Sequence, residues 1–337
     1  MSVLVQPRLI NDPLGDPGLY LDFHFGRRAI LFDLGDTAPL SARELLRVSH
    51  AFISHAHMDH VAGLDRLLRL RLHRPGPLTL LGPEGFVEKM QNRLGSYSWN
   101  LLNETSVDFR LTVQVFDGET ITEAAEFRAR EKFRRRDLAL PDLPSGIVLS
   151  DPEFDIRAAA LDHGIPSLAF AFCQRQRFNV KRNLLDDLGL PVGRWIDTAK
   201  AALRDGMPDD YEVDVPGAGR VTLGTLRKGA FEAGRGQHFA YVADAADTAA
   251  NRDKIVALAR EADQLFIEAY FLDADRDIAT ATRHLTARAA GEIARQAGTR
   301  RVIAFHHSAR YGGDDADFAA EVSAAFNGPN KARLPET

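Results

Sequence analysis

The sequence predicts an α/β protein in which two sheets pack against each other with helices on the outside. Short apolar runs of strand length recur along all 337 residues, and amphipathic helical patterns fall between them. The strands come in meandering clusters, with helices near the middle of the first half and late in the second, which suits two packed sheets better than one doubly wound sheet. A chain this long forms one large domain or two. No internal repeat and no low-complexity linker divides it.

The strand-like runs are 19–24 ("LYLDFH"), 29–34 ("AILFDL"), 50–54, 78–81, 111–116, 154–161, 168–173, 238–243, 264–268 and 301–305. Each is a few apolar residues bounded by polar or turn residues. The helical patterns are "DHVAGLDRLLRLRL", "PEGFVEKMQNRL", "TAANRDKIVALAREA", "HLTARAAGEIARQAG" and "DADFAAEVSAAF", whose apolar positions return every three or four residues. The stretch 204–236 is rich in glycine and charge and is expected to contain loops.

Composition narrows the function. With 45% hydrophobic and 26% charged residues and a net charge of -5, the surface is not a general polyanion binder, so any nucleic-acid contact must be local. The start, "MSVLVQPRLINDP", lacks a basic segment followed by an apolar core, and no run of about eighteen apolar residues occurs, so a cytoplasmic protein without a membrane span is expected. The lone Cys173 has no disulfide partner and reads as a buried small hydrophobe.

The segment "FISHAHMDHVAGL" (52–64) carries the chemistry. His55 and His57 stand two apart just beyond a strand, where one loop can aim both inward, and Asp59 and His60 open the next helix. Neutral imidazoles suit zinc, and a carboxylate adds charge and an anchor for water, so His-x-His-x-Asp-His fits a two-metal site. The bland alternative has Asp59 capping a helix while the histidines face solvent. More ligands are needed, and of the eleven histidines His163 and His306 also follow strand-like runs. Asp244 closes another apolar run, where a carboxylate has no packing purpose and can bridge two cations. His24, His50, His73 and His238 read as structural or surface residues.

This order of residues resembles the metallo-β-lactamase fold superfamily and, within it, ribonuclease Z, the transfer RNA 3′-processing endonucleases. "SHAHMDHVAGL", "HGIPSLAFAF", "YVADAADT" and "FHHSARY" are similar to its metal motifs. "LFIEAYF", with Glu268, and "RHLTARAAGEIARQAG", with His284, are similar to the two segments that mark the phosphodiesterase branch. The resemblance implies a four-layer αβ/βα sandwich over residues 1–337 with an inserted arm at about 175–236. It implies one zinc held by His55, His57 and His163, another by Asp59, His60 and His306, and Asp244 bridging them; manganese or iron also suits such ligands. Ser308 and Arg310 would face the scissile phosphate and Tyr311 would buttress their loop, while His307 stands where an aromatic residue is usual. The chain departs from the family in lacking its glycine-rich opening and in carrying Ala243 where a glycine is common. "FNVKRNLLDDLGLPVGRWIDTAKAALRDG" looks like the base of the arm, without a clear glycine and proline rich tip.

The implied activity is cleavage of tRNA precursor 3′ trailers by a hydroxide bridging two metals. Asp59 would orient that nucleophile and accept its proton, while His284, held by Glu268, would protonate the departing ribose oxygen. The alternatives for these two are a strand-end carboxylate paired with an arginine and a helix-capping histidine. Basic segments 127–137 and 173–182 either line an RNA path or form a solvated surface. Family resemblance implies a homodimer in which one subunit's arm grips RNA cut by the other. Competing functions are hydrolysis of a cyclic nucleotide or another small ester at the same site, and a catalytically dead nucleic-acid-binding module.

Overall fold

The computed structural model describes residues 3–24, 27–312 and 316–328. The chain divides into two compact units, one made of Met1–Leu149, Ile156–Phe172 and His238–Thr337, the other of Ser150–Asp155 and Cys173–Gln237.

In the larger unit, an eight-stranded sheet follows chain order: Val5–Leu9, Leu19–Phe23, Ala29–Phe32, Val48–Phe52, Gly76–Gly82, Phe109–Phe116, Ile121–Arg128 and Arg135–Asp137. Strands three to six run parallel, and the flanking ones antiparallel. Side chains alternate across it, as period-two strands require. Leu31, Ala51, Ile53, Leu78 and Leu80 join one cluster with Leu67, Leu68, Val87 and Met90 of helices Leu64–Arg71 and Phe86–Gly95. Phe32 and Phe52 face the other way. There Phe170 stacks 5.3 Å from Phe32 and lies 5.7 Å from Phe52, and Tyr241 lies 5.8 Å from Phe32. Both partners belong to the second sheet, so this aromatic layer is the seam between sheets. Burying each such ring contributes roughly 1.5–3 kcal/mol.

The second sheet runs Val302–Phe305, Gln264–Glu268, His238–Val242, Pro166–Gln174, Phe154–Asp162, Ile147–Ser150, its first three strands parallel. Helix Ala287–Ala297 packs on it and against Ala316–Asn327. The two helices approach so closely that a Cβ on Gly291 would stand 2.5 Å from the Val322 carbonyl oxygen. The layers are therefore helices, sheet, sheet, helices, as expected. Among the described residues no helix is long and apolar enough to cross a membrane.

Several local expectations needed correction. The helix read over 59–72 is two, Met58–Val61 and Leu64–Arg71, separated at Gly63, whose missing Cβ would fall 2.3 Å from the Gly35 carbonyl oxygen. Strands Val5–Leu9 and Ile121–Arg128 do not read as strands in sequence, because glutamine, proline and arginine in the first and alanine and glutamate in the second hide the alternation. The stretch 204–236 is not merely loops. Glu212–Val215 pairs antiparallel with Gly219–Thr222, helix Leu223–Gly229 follows, and Phe231–Gly234 pairs with Arg177–Val180. These elements enclose the smaller unit's own core, with Trp195, Ile196, Leu203, Val213, Val215, Leu226 and Phe231. Cys173 is half-buried rather than buried.

Candidate active site

The seven candidate ligands and Glu268 stand at or just past the carboxyl end of a strand, or in the short helix that follows it, whereas His284 lies between helices Arg276–Thr282 and Ala287–Ala297. In open parallel sheets those ends form the ligand-binding edge, because the crossing connections leave them free. His55 follows Val48–Phe52, with Ile53 N donating to the Leu81 carbonyl oxygen at 2.7 Å to fix the exit of the strand. His57 precedes the first turn of Met58–Val61 and makes no capping bond, so Asp59 lies inside that turn and is not its cap. His163 follows Phe154–Asp162, Asp244 follows His238–Val242, Glu268 ends Gln264–Glu268, and His306 follows Val302–Phe305. His306 has φ 59°, a left-handed conformation that costs a non-glycine residue roughly 1–2 kcal/mol and turns its ring back over the sheet edge.

The ligand candidates fall into two groups. Donor atoms of His55, His57, His163 and Asp244 lie within 4.8 Å of one another, and so do those of Asp59, His60 and His306. Asp244 joins them. Its Oδ2 is 3.7 Å from His55 Nε2 and 3.4 Å from His163 Nε2, while its Oδ1 is 3.3 Å from His60 Nε2 and 3.0 Å from His306 Nδ1. Asp59 Oδ2 lies 3.4 Å from His60 Nε2 and 3.3 Å from His306 Nε2.

These residues fit a pair of divalent cations. His60 Nε2, Asp244 Oδ1 and His306 Nδ1 are buried without a hydrogen-bond partner, although they nearly touch one another. A buried polar atom left so costs about 1–3 kcal/mol, and lone pairs converging on shared points instead of on each other are what a cation satisfies. Burial, helped by the neighbouring His60 charge, pushes the His55 imidazole down to about 2, and burial lowers His57 as well, so both are neutral donors. Burial opposes the charge on His60 and His306, yet Asp244 with Asp33 raises the first and Asp244 raises the second to about 9. His306 and His60 in turn hold both Asp59 and Asp244 well below the usual carboxylate range despite burial.

A second layer orients these rings, and the sequence reading missed its centre. Asp33 Oδ2 accepts from His60 Nδ1, from the Ser54 hydroxyl and from the Tyr241 hydroxyl, each at 2.9 Å, while Oδ1 accepts from Ser54 N at 2.7 Å. The signal was present. Asp33 ends the apolar run "AILFD", just as Asp244 ends "FAYVAD", and its φ of 59° marks a strained, over-determined position. His163 Nδ1 donates to the Arg283 carbonyl oxygen at 2.8 Å.

Beside the cluster, His284 Nδ1 donates to Glu268 Oε2 at 2.8 Å. Glu268 is fully buried, and its Oε1 accepts from Ala245 N at 2.7 Å and Leu285 N at 3.2 Å. No arginine pairs with it among the described contacts, and the helix cap is Thr286, not His284. Burial would lower the His284 imidazole, but the Glu268 charge and hydrogen bond outweigh it and raise it. Ser308 donates its N–H to the Tyr270 carbonyl oxygen at 3.0 Å. Arg310 lies 5.9 Å over the Phe271 ring and 4.0 Å from Asp275, whose carboxylate also receives the Tyr311 hydroxyl. His307 turns away from the cluster to stack on Phe318 at 3.9 Å.

The basic segment 127–137 stands elsewhere. Arg128 pairs across from Arg110 and Phe109 from Gly76, at the entry end of the parallel strand whose exit end, Leu81, pairs with Phe52 beside the histidines. Arg128 and Arg135 are engaged with Asp108, Glu123 and Asp137.

The metallo-beta-lactamase superfamily pattern matches residues 12–125. Ribonuclease Z of Thermobifida fusca is 31% identical over 310 residues, 89% of this chain and 81% of that one. The chain belongs to the ribonuclease Z family. Ribonuclease Z of Deinococcus radiodurans is 28% identical over 329 residues, 96% of this chain and 95% of that one. Among solved structures, the metallo-beta-lactamase fold protein YhfI from Bacillus subtilis aligns with a TM-score of 0.55 at 16% identity, covering 96% of this chain and 93% of its own, which speaks to fold alone. As a member of the ribonuclease Z family the chain is a metal-dependent hydrolase.

Proposed function

We propose that the protein is a zinc-dependent endoribonuclease that removes 3′ trailers from tRNA precursors in the cytoplasm. His55, His57 and His163 would hold one zinc and Asp59, His60 and His306 the other, with Asp244 offering one carboxylate oxygen to each group. The observation that carries the reading is the Glu268–His284 pair, 2.8 Å apart beside the two ligand groups. A hydrolase of small activated esters has no need of a buried carboxylate holding an imidazole in its charged form, whereas a departing ribose 3′-oxygen does.

Bound zinc supplies Lewis acidity and brings water within reach of deprotonation near neutral pH. Asp59 is less buried than the histidines around it, and it orients the attacking water and takes its proton. His284 delivers a proton from Nε2 to the leaving oxygen, a contribution of about 10² to 10⁴-fold. Glu268 keeps that imidazole charged and its Nδ1 occupied. Ser308 and Arg310 hold the phosphate, and Tyr311 anchors their loop. The smaller unit, Cys173–Gln237 with Ser150–Asp155, is the RNA-gripping arm, serving the other subunit of a homodimer.

The test is incubation of zinc-loaded protein with a 3′-extended tRNA precursor, bis(p-nitrophenyl) phosphate and a cyclic nucleotide in parallel. Clean removal of the trailer at a kcat/KM well above that for the two small esters supports the reading. Efficient turnover of the cyclic nucleotide with an intact precursor would replace it.

A further inference from the structure

Tyr270 stands in "LFIEAYF", two residues beyond Glu268, and nothing in the proposed chemistry uses it. Its ring lies on that of His284, centroids 4.0 Å apart and planes 13° from parallel. This is the tightest parallel contact His284 makes: His163 meets it edge-on at 4.8 Å and Phe271 edge-on at 6.1 Å. The Tyr270 carbonyl oxygen accepts from Ser308 N at 3.0 Å.

Geometry gives this contact a purpose. A single hydrogen bond at Nδ1 fixes where that atom sits but leaves the ring free to tilt about the bond, swinging Nε2 through an arc. A second restraint on the face of the ring removes that freedom. A stacked phenol does so at little cost, since the negative face of an aromatic ring also favours a charged imidazole. We infer that Tyr270 is a positioning residue for the proton donor: its ring sets the plane of His284 so that Nε2 faces the leaving oxygen, and its backbone carbonyl, held by Ser308 N, fixes where that ring starts. The inference rests on the reading of His284 as the acid.

Leaving groups separate this role from a structural one. A departing ribose oxygen needs a proton, whereas p-nitrophenolate leaves without one, so a fault in proton delivery is felt with RNA and not with bis(p-nitrophenyl) phosphate. Tyr270→Leu, Tyr270→Phe and His284→Ala are to be assayed on both substrates, with zinc content and thermal midpoint measured on each. Tyr270→Leu is expected to lower kcat on the tRNA precursor by about tenfold or more, to stay within about twofold on the nitrophenyl ester, and to keep its zinc; Tyr270→Phe, which retains the ring, is expected to recover most of kcat.

Equal losses on both substrates, full RNA activity in Tyr270→Leu, or a Phe variant as impaired as Leu would each overturn the inference. If His284→Ala itself shows no difference between the substrates, the fault lies with His284 as the acid, and the role of Tyr270 falls with it.

Discussion

Asp33 Oδ2 stands 2.9 Å from His60 Nδ1, and that contact decides which nitrogen of His60 faces Asp244 and the other candidate ligands. With Nδ1 committed to the carboxylate, Nε2 is left bare and buried, pointing at Asp244. Asp33→Asn keeps the shape but replaces one acceptor oxygen with a donor. Metal affinity at the Asp59–His60–His306 group is expected to fall about 10- to 100-fold, as loss of such outer partners does elsewhere. Competition with a chromophoric chelator measures it. Unchanged affinity would remove Asp33 from this role.

Asp244 divides its two oxygens between the ligand groups, so the groups are expected to empty separately. His163→Ala should purify with about one zinc per chain, and Asp244→Ala with fewer still, because each site loses an anionic or imidazole donor. Elemental analysis after dialysis against zinc-free buffer decides this. Two equivalents in His163→Ala would contradict the partition.

Glu268→Gln preserves an acceptor for Ala245 N and Leu285 N but removes the charge facing His284. The variant is expected to fold, to hold its metal and to lose about 10²-fold or more in kcat on precursor RNA. A kcat within a few-fold of the parent would show that His284 does not need the carboxylate.

Gly291 lies against the neighbouring helix with no room for a side chain. Gly291→Val should force Ala287–Ala297 and Ala316–Asn327 apart and destabilise the fold by about 1–3 kcal/mol, read as a lower urea midpoint at an unchanged slope.

Acid stability should depend on carboxylates far from the cluster. The Arg128 hydrogen bond holds Asp108 below its ordinary value, and the Ser41 hydroxyl does the same for Glu44. A depressed native value means that the unfolded chain takes up the proton first, so their contribution is present above about pH 4 and is lost as pH falls through the native values. For chelator-treated protein, the urea midpoint of Asp108→Asn should fall less between pH 6 and pH 3 than that of the parent. Parallel curves would rule the pair out as a source of acid sensitivity.

What could be read from the chain in advance follows from what each feature depends on. The candidate ligands are legible in sequence because histidine and aspartate have no packing reason to sit at or just after the end of an apolar strand, which sets apart His55, His57, Asp59, His60, His163, Asp244 and His306. Asp33 carries the same signal as Asp244, a carboxylate closing an apolar run, but its task shows only in the fold, where His60, Ser54 and Tyr241 converge on it. For segment 127–137 the sequence leaves an RNA path and a solvated surface equally open. Its arginines are dense in sequence, and strand pairing places them at the end of the sheet away from the histidines, with Arg128 and Arg135 engaged by Asp108, Glu123 and Asp137.

The sequence by itself determined the class of fold and the kinds of ligand, because strand and helix periodicity and donor chemistry are local properties. Only the tertiary structure decided how the donors are shared: which oxygen of Asp244 serves which group, that Asp33 stands behind His60, and that Tyr270 lies flat on His284. Those relations join residues up to about two hundred positions apart, Asp33 and Tyr241 among them, through the packing of two sheets. No spacing along the chain encodes a distance set by the folding of separate strands onto one edge.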